Sequence, residues 1–147
     1  MSASRPAPIR HTKEVGERNK SLSAASAQID RDVWNAIAVI QKPGQPNVLH
    51  KIIGLYLTSS QAQVTQLRQA WDGRASDAIQ AAAHSLKSSS ATLGAHRLAT
   101  LAKQLEEACR TAHVEQAEGL ITLIEIAHRD ACVIFRNELE SSPKEAA

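Results

Sequence analysis

Apolar residues recur at steps of three and four along most of this chain, and this period constrains the fold more than any other feature. Such spacing places apolar side chains on one face of an α-helix. Four long amphipathic stretches follow a shorter one, and the first break between them is the segment KPGQP at residues 42–46. The sequence therefore predicts an all-α fold, an antiparallel four-helix bundle with a short N-terminal capping helix.

Five helices are predicted from this period. The first carries the stripe Ile29, Val33, Ala36, Ile37 and Ile40; the second covers about 48–71; the third covers about 75–91; the fourth carries Leu98, Leu101, Ala102, Leu105, Ala108 and Cys109; the fifth carries Leu120, Ile124, Ala127, Ala131 and Ile134. Gly94 can supply a left-handed residue after the third helix. Trp34 and Trp71 are predicted to pack in the core or at its edge.

The domain organisation follows from where the period starts and stops. Residues 1–28 hold five Lys or Arg and two Glu and show no sustained apolar period. They are interpreted as a flexible tail or linker. Residues 29–140 are predicted to form the bundle, and residues 141–147 a frayed tail.

Charge, cysteine content and the lack of a long apolar run indicate which partners and which location to expect for this chain. Beyond residue 28 the chain holds 12 basic and 13 acidic side chains, which argues against a nucleic-acid partner. Cys109 and Cys132 show no CxxC spacing, so buried reduced thiols and a cytoplasmic location are expected. The sequence has no apolar run of about 18 residues, so no membrane contact is expected.

The segment AAAHSLKSSSATLGA at residues 81–95 holds the candidate site. On the third helix, Ile79, Ala82 and Leu86 share the apolar face, and His84 points the opposite way. Within about 60° of His84, by the helical period, lie Asp77, Gln80, Ala81, Lys87, Ser88 and Ala91. The pattern therefore predicts an exposed histidine among small or polar neighbours.

A metal site at His84 is disfavoured, because a helical site needs ligands three or four residues away. Those places hold Gln80, Ala81, Lys87 and Ser88, and the lysine would repel a cation. Two hypotheses remain, a neutral surface residue and an exposed nucleophile. Imidazole is partly neutral and nucleophilic near pH 7, and Lys87 would place a cation beside a phosphoryl group.

The segment AHSLKSSSATLGA closely resembles the signature of the histidine-containing phosphotransfer (HPt) domain of phosphorelays. The signature places are filled by His84, Leu86, Lys87, Ser88, Ser89, Ser90, Leu93 and Gly94. The preceding LYL segment and the following HRLATLAKQLEEACR helix fit as well, so the resemblance covers roughly residues 29–140. Ser88 departs from the commonest pattern, which has glycine there.

The resemblance implies a phosphorelay intermediate without autonomous kinase activity. His84 would accept a phosphoryl group from a receiver-domain aspartate and pass it to another receiver, and Lys87 would balance its charge. The docking face would comprise Gln80, Ala81, Ser88 and Ala91. The implied partners are response-regulator receiver domains and a hybrid sensor kinase. No cofactor is expected in this chain, since the receiver would bring Mg²⁺.

Several alternatives stay open after the resemblance is stated. The chain could be a free-standing shuttle or the C-terminal module of a bacterial hybrid sensor kinase, and the resemblance implies a monomer. A different class of function is a non-phosphorylated helical adaptor that binds and inhibits a receiver or kinase domain. The intact His84 and Lys87 favour the shuttle.

The remaining polar residues are expected to play no part in the chemistry. His50, His96, His113 and His128 are predicted to be surface or boundary side chains. Glu106 and Glu107 are predicted to lie on a solvated, charged stretch. Ser89 and Ser90 are expected to serve close helix packing and backbone hydrogen bonding.

Overall fold

The computed structural model describes residues 29–141, which contain five α-helices and no strand. The helices are α1 (Arg31–Val39), α2 (Val48–Asp72), α3 (Ser76–Thr92), α4 (His96–Arg110) and α5 (Ala117–Glu140), with a 3-10 turn at Val114–Gln116 before α5. This confirms the predicted all-α bundle. Residues 1–28 and 142–147, interpreted above as tails, lie outside the described residues, so the predicted domain boundaries stay predictions.

Helices α2 to α5 form the four corners of the bundle. Helix α2 packs against α3 and α5, and α4 also packs against α3 and α5. Because neighbours in sequence are neighbours in space and the links are short, successive helices run antiparallel. Helices α3 and α5 therefore stand on opposite corners.

The apolar stripes of all four helices meet in one core. Its fully buried large side chains include Ile53, Leu67, Ile79, Leu86, Leu105, Ile121, Ile124 and Phe135. Trp34 and Tyr56 pack against Phe135, with ring centroids 5.7 Å and 5.1 Å apart respectively. Trp34 is buried and Trp71 is partly buried against the core, as predicted.

Helix α1 caps the end of the bundle where α3 turns into α4. The indole N–H of Trp34 donates to the carbonyl of Leu93 at 3.0 Å, and the backbone N–H of Asp30 donates to the carbonyl of Gly94 at 2.8 Å. The predicted α1 stripe is only partly right, since Ala36 is exposed and Ile40 is 62% exposed. These bonds anchor α1 near its start, which leaves its last turn outside the core.

Gly94 allows this close contact between α1 and the α3–α4 turn. Its φ of +82° lies in the left-handed region, and a Cβ there would stand 2.8 Å from the carbonyl oxygen of Asp30. We expect Gly94→Ala to lower the free energy of unfolding by at least about 1–2 kcal/mol. Urea unfolding measures the loss.

Gly119 provides the matched control for that substitution. It lies inside α5, and a Cβ there would meet no atom within 4 Å. Gly119→Ala should therefore stabilise the helix by about 0.5–1 kcal/mol. Equal unfolding free energies for the two variants would contradict the role given to Gly94.

A buried polar pair joins α2 to α5. Ser60 Oγ lies 2.8 Å from Nε2 of His128, and the Sγ of Cys132 lies 3.3 Å from the same nitrogen. The prediction that His128 is a surface or boundary residue is wrong, because Ser60 gives this buried imidazole a partner. Ser60 is the one polar residue in the buried stripe of α2. Burial, with the nearby charge of Arg136, lowers the pKa of His128.

This burial predicts a pH dependence of stability. The folded state keeps His128 neutral, whereas the unfolded chain protonates it with the ordinary pKa of 6.5. We expect the contribution of His128 to the free energy of unfolding to be fully present above pH 6.5. It should be lost as the pH falls from there toward the lowered pKa of His128 in the folded state. Urea unfolding across this range measures the slope.

The variant His128→Gln isolates that contribution from other titrating groups. Its amide can still bond to Ser60 but does not titrate in this range. The free energy of unfolding of the variant should fall less between neutral and mildly acidic pH than that of the wild-type chain. Identical slopes would rule out His128 as the source.

Candidate functional site

His84 lies midway along α3 on the face that points away from the core. Helix α3 buries Ile79, Ala82, Ala83, Leu86 and Ser90. The helical period then turns His84 outward, and 61% of its side chain is exposed. The predicted orientation of His84 agrees with the structure.

Glu106 of α4 connects His84 to Lys87. Its Oε2 lies 2.8 Å from Nδ1 of His84, and the ammonium group of Lys87 donates to its Oε1 at 2.7 Å. Only 19% of the Glu106 side chain is exposed. The two predicted residues are therefore brought together through a third residue, on the neighbouring helix.

The prediction that Glu106 lies on a solvated stretch is wrong, whereas its neighbour Glu107 is exposed. The period of α4 carries the signal that separates them. Measured from the centre of the buried stripe that Leu105 occupies, Glu106 stands about 90° away and Glu107 about 180° away. A residue at the edge of a buried stripe faces the adjacent helix, here α3, while its neighbour faces solvent.

The electrostatics of this cluster fix the form of the imidazole ring. The hydrogen bond from Lys87, followed by that from His84, lowers the pKa of Glu106, so its carboxylate is ionised. An ionised carboxylate only accepts hydrogen bonds. Nδ1 of His84 therefore carries the hydrogen in this contact, and the lone pair of a neutral ring lies on Nε2.

The predicted docking residues lie on the His84 side of α3. Ala81, Ser88 and Ala91 are exposed, and Gln80 is partly buried. Their side chains are small except that of Gln80, so the side chains around the imidazole project little from the helix. A shallow groove of about 540 Å³ borders this face, lined by residues of α2 and α3 that include Ala81.

The serines beside the docking face serve packing, as expected. Ser89 Oγ donates to the carbonyl of Leu86 at 3.3 Å. The hydroxyl groups of Ser90 and Tyr56 bond at 2.7 Å inside the bundle. The bond between Ser90 and Tyr56 joins α3 to α2, on the side of α3 opposite to His84, whereas the Ser89 bond lies within α3.

Other sequence candidates add no second site within residues 29–141. That range has no group of three or more His, Cys, Asp or Glu side chains placed to hold a metal ion. Cys109 and Cys132 are free and buried, as predicted. No helix in the described range is long and apolar enough to cross a membrane.

Comparison with known proteins adds an independent finding. Residues 51–141, more than half of the chain, match the family model described as Hpt domain. The fold is similar to the crystal structure of histidine-containing phosphotransfer protein B (HptB) from Pseudomonas aeruginosa PAO1, at 23% sequence identity and a TM-score of 0.71. That match covers 77% of this chain and 95% of that chain. None of the curated proteins matches.

Proposed function

Because this chain belongs to the Hpt domain family and is a histidine phosphotransfer intermediate of phosphorelays, we propose that His84 carries the phosphoryl group. The observation behind this proposal is the exposed imidazole whose Nδ1 bonds to Glu106. That bond leaves Nε2 as the nucleophilic nitrogen. The adaptor hypothesis is not favoured, since it gives no role to this arrangement.

The proposed step is a transfer between an aspartyl phosphate and Nε2. The Nε2 lone pair attacks phosphorus, the bond from phosphorus to the carboxylate oxygen breaks, and the receiver aspartate leaves as a carboxylate. The phosphorylated ring retains its hydrogen on Nδ1 and gains positive charge, which the Glu106 carboxylate stabilises. Attack by a second receiver aspartate reverses these changes and passes the group on.

Lys87 is assigned to the charge of the transferred group. Its ammonium group is 2.7 Å from Glu106, one helical turn from His84. A cation at this distance can face phosphoryl oxygens carried on Nε2. The chain would supply the nucleophile and this cation, and we expect the receiver to supply the acidic pocket and Mg²⁺.

The docking face of Gln80, Ala81, Ser88 and Ala91 would receive that partner. Because most of these side chains are short, an aspartyl phosphate can approach within bonding distance of Nε2. The proposed partners are response-regulator receiver domains and a hybrid sensor kinase. We also propose that the chain is a phosphoryl carrier without autonomous kinase activity and that it is located in the cytoplasm. Its monomeric state, implied by the resemblance, stays a prediction.

Phosphotransfer from receiver domains tests this function. Receivers of the same organism are phosphorylated with radiolabelled phosphate on aspartate and mixed with the full chain. We expect acid-labile, alkali-stable label to move to the chain from its cognate receiver. Stable binding of a receiver without any transfer of label would instead support the inhibitory adaptor.

Glu106 is predicted to position the ring, and Glu106→Ala tests this. Without the carboxylate, the ring loses the partner that fixes its tautomer, so we expect transfer to slow by roughly tenfold. The ¹⁵N chemical shifts of the His84 ring should show Nδ1–H in the wild-type chain and mixed tautomers in the variant. The matched control is Glu107→Ala, which removes the adjacent exposed carboxylate. Equal transfer rates for the two variants would contradict the role of Glu106.

A further inference from the structure

A groove between α2 and α5 carries an excess of positive charge that the phosphotransfer site does not use. Its volume is about 530 Å³, a size typical of small-molecule sites. The lining includes three arginines, Arg68, Arg129 and Arg136, and a single carboxylate, that of Glu125. We call it the α2–α5 groove.

The carboxylate cannot neutralise all three arginines, because one of them already holds it. Arg68 donates to both carboxylate oxygens of Glu125, from Nε at 3.1 Å and from Nη2 at 2.9 Å. Within residues 29–141, Arg129 and Arg136 have neither an ion pair nor a hydrogen bond, and both are exposed. Burial lowers the pKa of His128, so this lining residue is neutral near pH 7. Two positive charges therefore remain without a counter-charge in the groove.

The two unpaired arginines lie on one stripe of α5. They are seven residues apart, which is two helical turns or about 10 Å along the axis. Cys132 lies between them on this stripe and is buried. Asp130, which follows Arg129, is partly buried and does not line the groove. The groove therefore presents two cations at separate points, with no lining carboxylate between them.

Helix α2 supplies neutral hydrogen-bond donors to the same groove. The amide of Gln61 donates to Oγ1 of Thr65 at 3.3 Å. A primary amide has two N–H groups, so one remains for a ligand, and the Thr65 hydroxyl keeps its own hydrogen. Ser60 contacts His128, so this part of α2 lies at the level of His128 and Arg129. Donors from α2 and cations from α5 therefore face the same space.

We propose that the α2–α5 groove binds an anion with two or more linked phosphate groups, such as inorganic tripolyphosphate or the phosphate chain of a nucleotide. The planar guanidinium groups of Arg129 and Arg136 would each hold a phosphate through paired hydrogen bonds. Gln61 and Thr65 would donate to the phosphate oxygens that lie nearer to α2. Linked phosphates suit two cations spaced along α5 better than a single phosphate does.

The lining favours a phosphate chain over a nucleobase or an acidic peptide. None of the described lining residues is aromatic, so a base would find no ring on which to stack. Bound peptides are commonly anchored by large apolar contacts in a pocket, and Val64, which is buried, is the one aliphatic residue of this lining. A nucleotide would therefore bind through its phosphates alone.

The α2–α5 groove is separated from the phosphotransfer site. Helix α2 packs against α3 and α5, and α4 packs against the same two helices, so the groove lies opposite to the contact between α3 and α4. That contact holds the hydrogen bond between His84 and Glu106. Binding in the groove would leave His84 accessible and does not depend on phosphoryl transfer.

The imidazole of His128 provides a reporter inside the groove. Its pKa is lowered by burial and then by the nearby charge of Arg136. A phosphate bound to Arg136 offsets that charge, so it should raise the pKa of His128. The ¹⁵N chemical shifts of the ring, followed against pH with and without the ligand, measure this change.

Isothermal titration calorimetry of the full chain with sodium tripolyphosphate tests the proposal. The buffer contains NaCl at about 0.15 M, which screens weak surface attraction. We expect one site per chain, and Arg129→Gln and Arg136→Gln should each weaken binding by roughly tenfold. The matched control is Arg97→Gln, which removes the same charge from an exposed arginine of α4 outside the groove. Equal weakening by Arg97→Gln and Arg136→Gln would overturn the proposal, because overall charge would then explain the binding.

Other anions distinguish the source of the phosphate groups. Adenosine triphosphate should bind about as tightly as tripolyphosphate, whereas adenosine monophosphate should bind roughly tenfold more weakly. Hexaglutamate represents an acidic peptide and should bind more weakly than tripolyphosphate. Circular dichroism verifies that each variant folds. Absence of binding by tripolyphosphate, equal affinity for the monophosphate and the triphosphate, or tighter binding of hexaglutamate would overturn the proposal.

Discussion

Replacing His84 with glutamine is expected to abolish phosphoryl transfer to this chain. The glutamine amide occupies similar space but has no nucleophilic nitrogen, so no phosphorylated product can form. The fold should persist, because the replaced side chain is exposed and the core face of α3 is unchanged. Incubation with a labelled cognate receiver, with thermal unfolding in parallel, measures both effects.

His113→Gln is the matched control for this substitution. His113 is exposed in the link between α4 and α5, and its Nδ1 contacts the hydroxyl of Thr111 rather than a carboxylate. This variant should accept label at the wild-type rate. Label retained on His84→Gln, or lost from His113→Gln, would place the phosphoryl group on another residue.

The second large effect is expected from Ser88→Gln. Ser88 is exposed one helical turn beyond His84, so a longer side chain there would stand in the path of the receiver aspartate. We expect transfer to fall by roughly a hundredfold, the cost of displacing reacting atoms by about 1 Å. Stability should be unchanged, since no core contact is altered.

Ser88→Gly separates bulk from the loss of the hydroxyl. Glycine is the commonest residue at this place in the resembled signature, so the variant should transfer at least as fast as the wild-type chain. Its unfolding free energy should fall by about 0.5–1 kcal/mol, because glycine is unfavourable inside a helix. Normal transfer by Ser88→Gln would show that receivers approach from another side.

The fold could be predicted because the helical period is strong and three of its four breaks carry glycine or proline, the link between α4 and α5 being the exception. The same reasoning identified Gly94, whose positive φ is a local requirement. It did less well for α1, where Ile40 lies outside the core although it continues the stripe. The exposure of Ile40 depends on the hydrogen bond from the Trp34 indole to the carbonyl of Leu93, which anchors α1 near its start. These two residues are 59 positions apart in the sequence, so the stripe of α1 does not reveal their contact.

The residues of the candidate site that lie on one helix could be predicted from the sequence, whereas the contact between the two helices could not. Both His84 and Lys87 follow from the period of α3 alone. The period of α4 places Glu106 at the edge of the buried stripe, but its contacts with His84 and Lys87 depend on the register between α4 and α3, which the stripe of one helix does not give. The same limit explains His128, since its partner Ser60 lies 68 residues away on another helix. Within-helix geometry is thus readable from sequence, whereas pairing between helices requires the packed structure.

The ion pair between Glu106 and Lys87 has a consequence for the lifetime of a phosphoryl group on the chain. The ammonium group is already paired with a carboxylate before any phosphoryl group arrives. An incoming anion must therefore share this cation with Glu106, and the net attraction is smaller than a free lysine would provide. A carrier whose phosphorylated state is too stable would transfer the group slowly to the next acceptor. If Lys87 contacts the phosphoryl group as proposed, its pairing with Glu106 would stabilise the phosphorylated state only weakly and so favour transfer to the next acceptor.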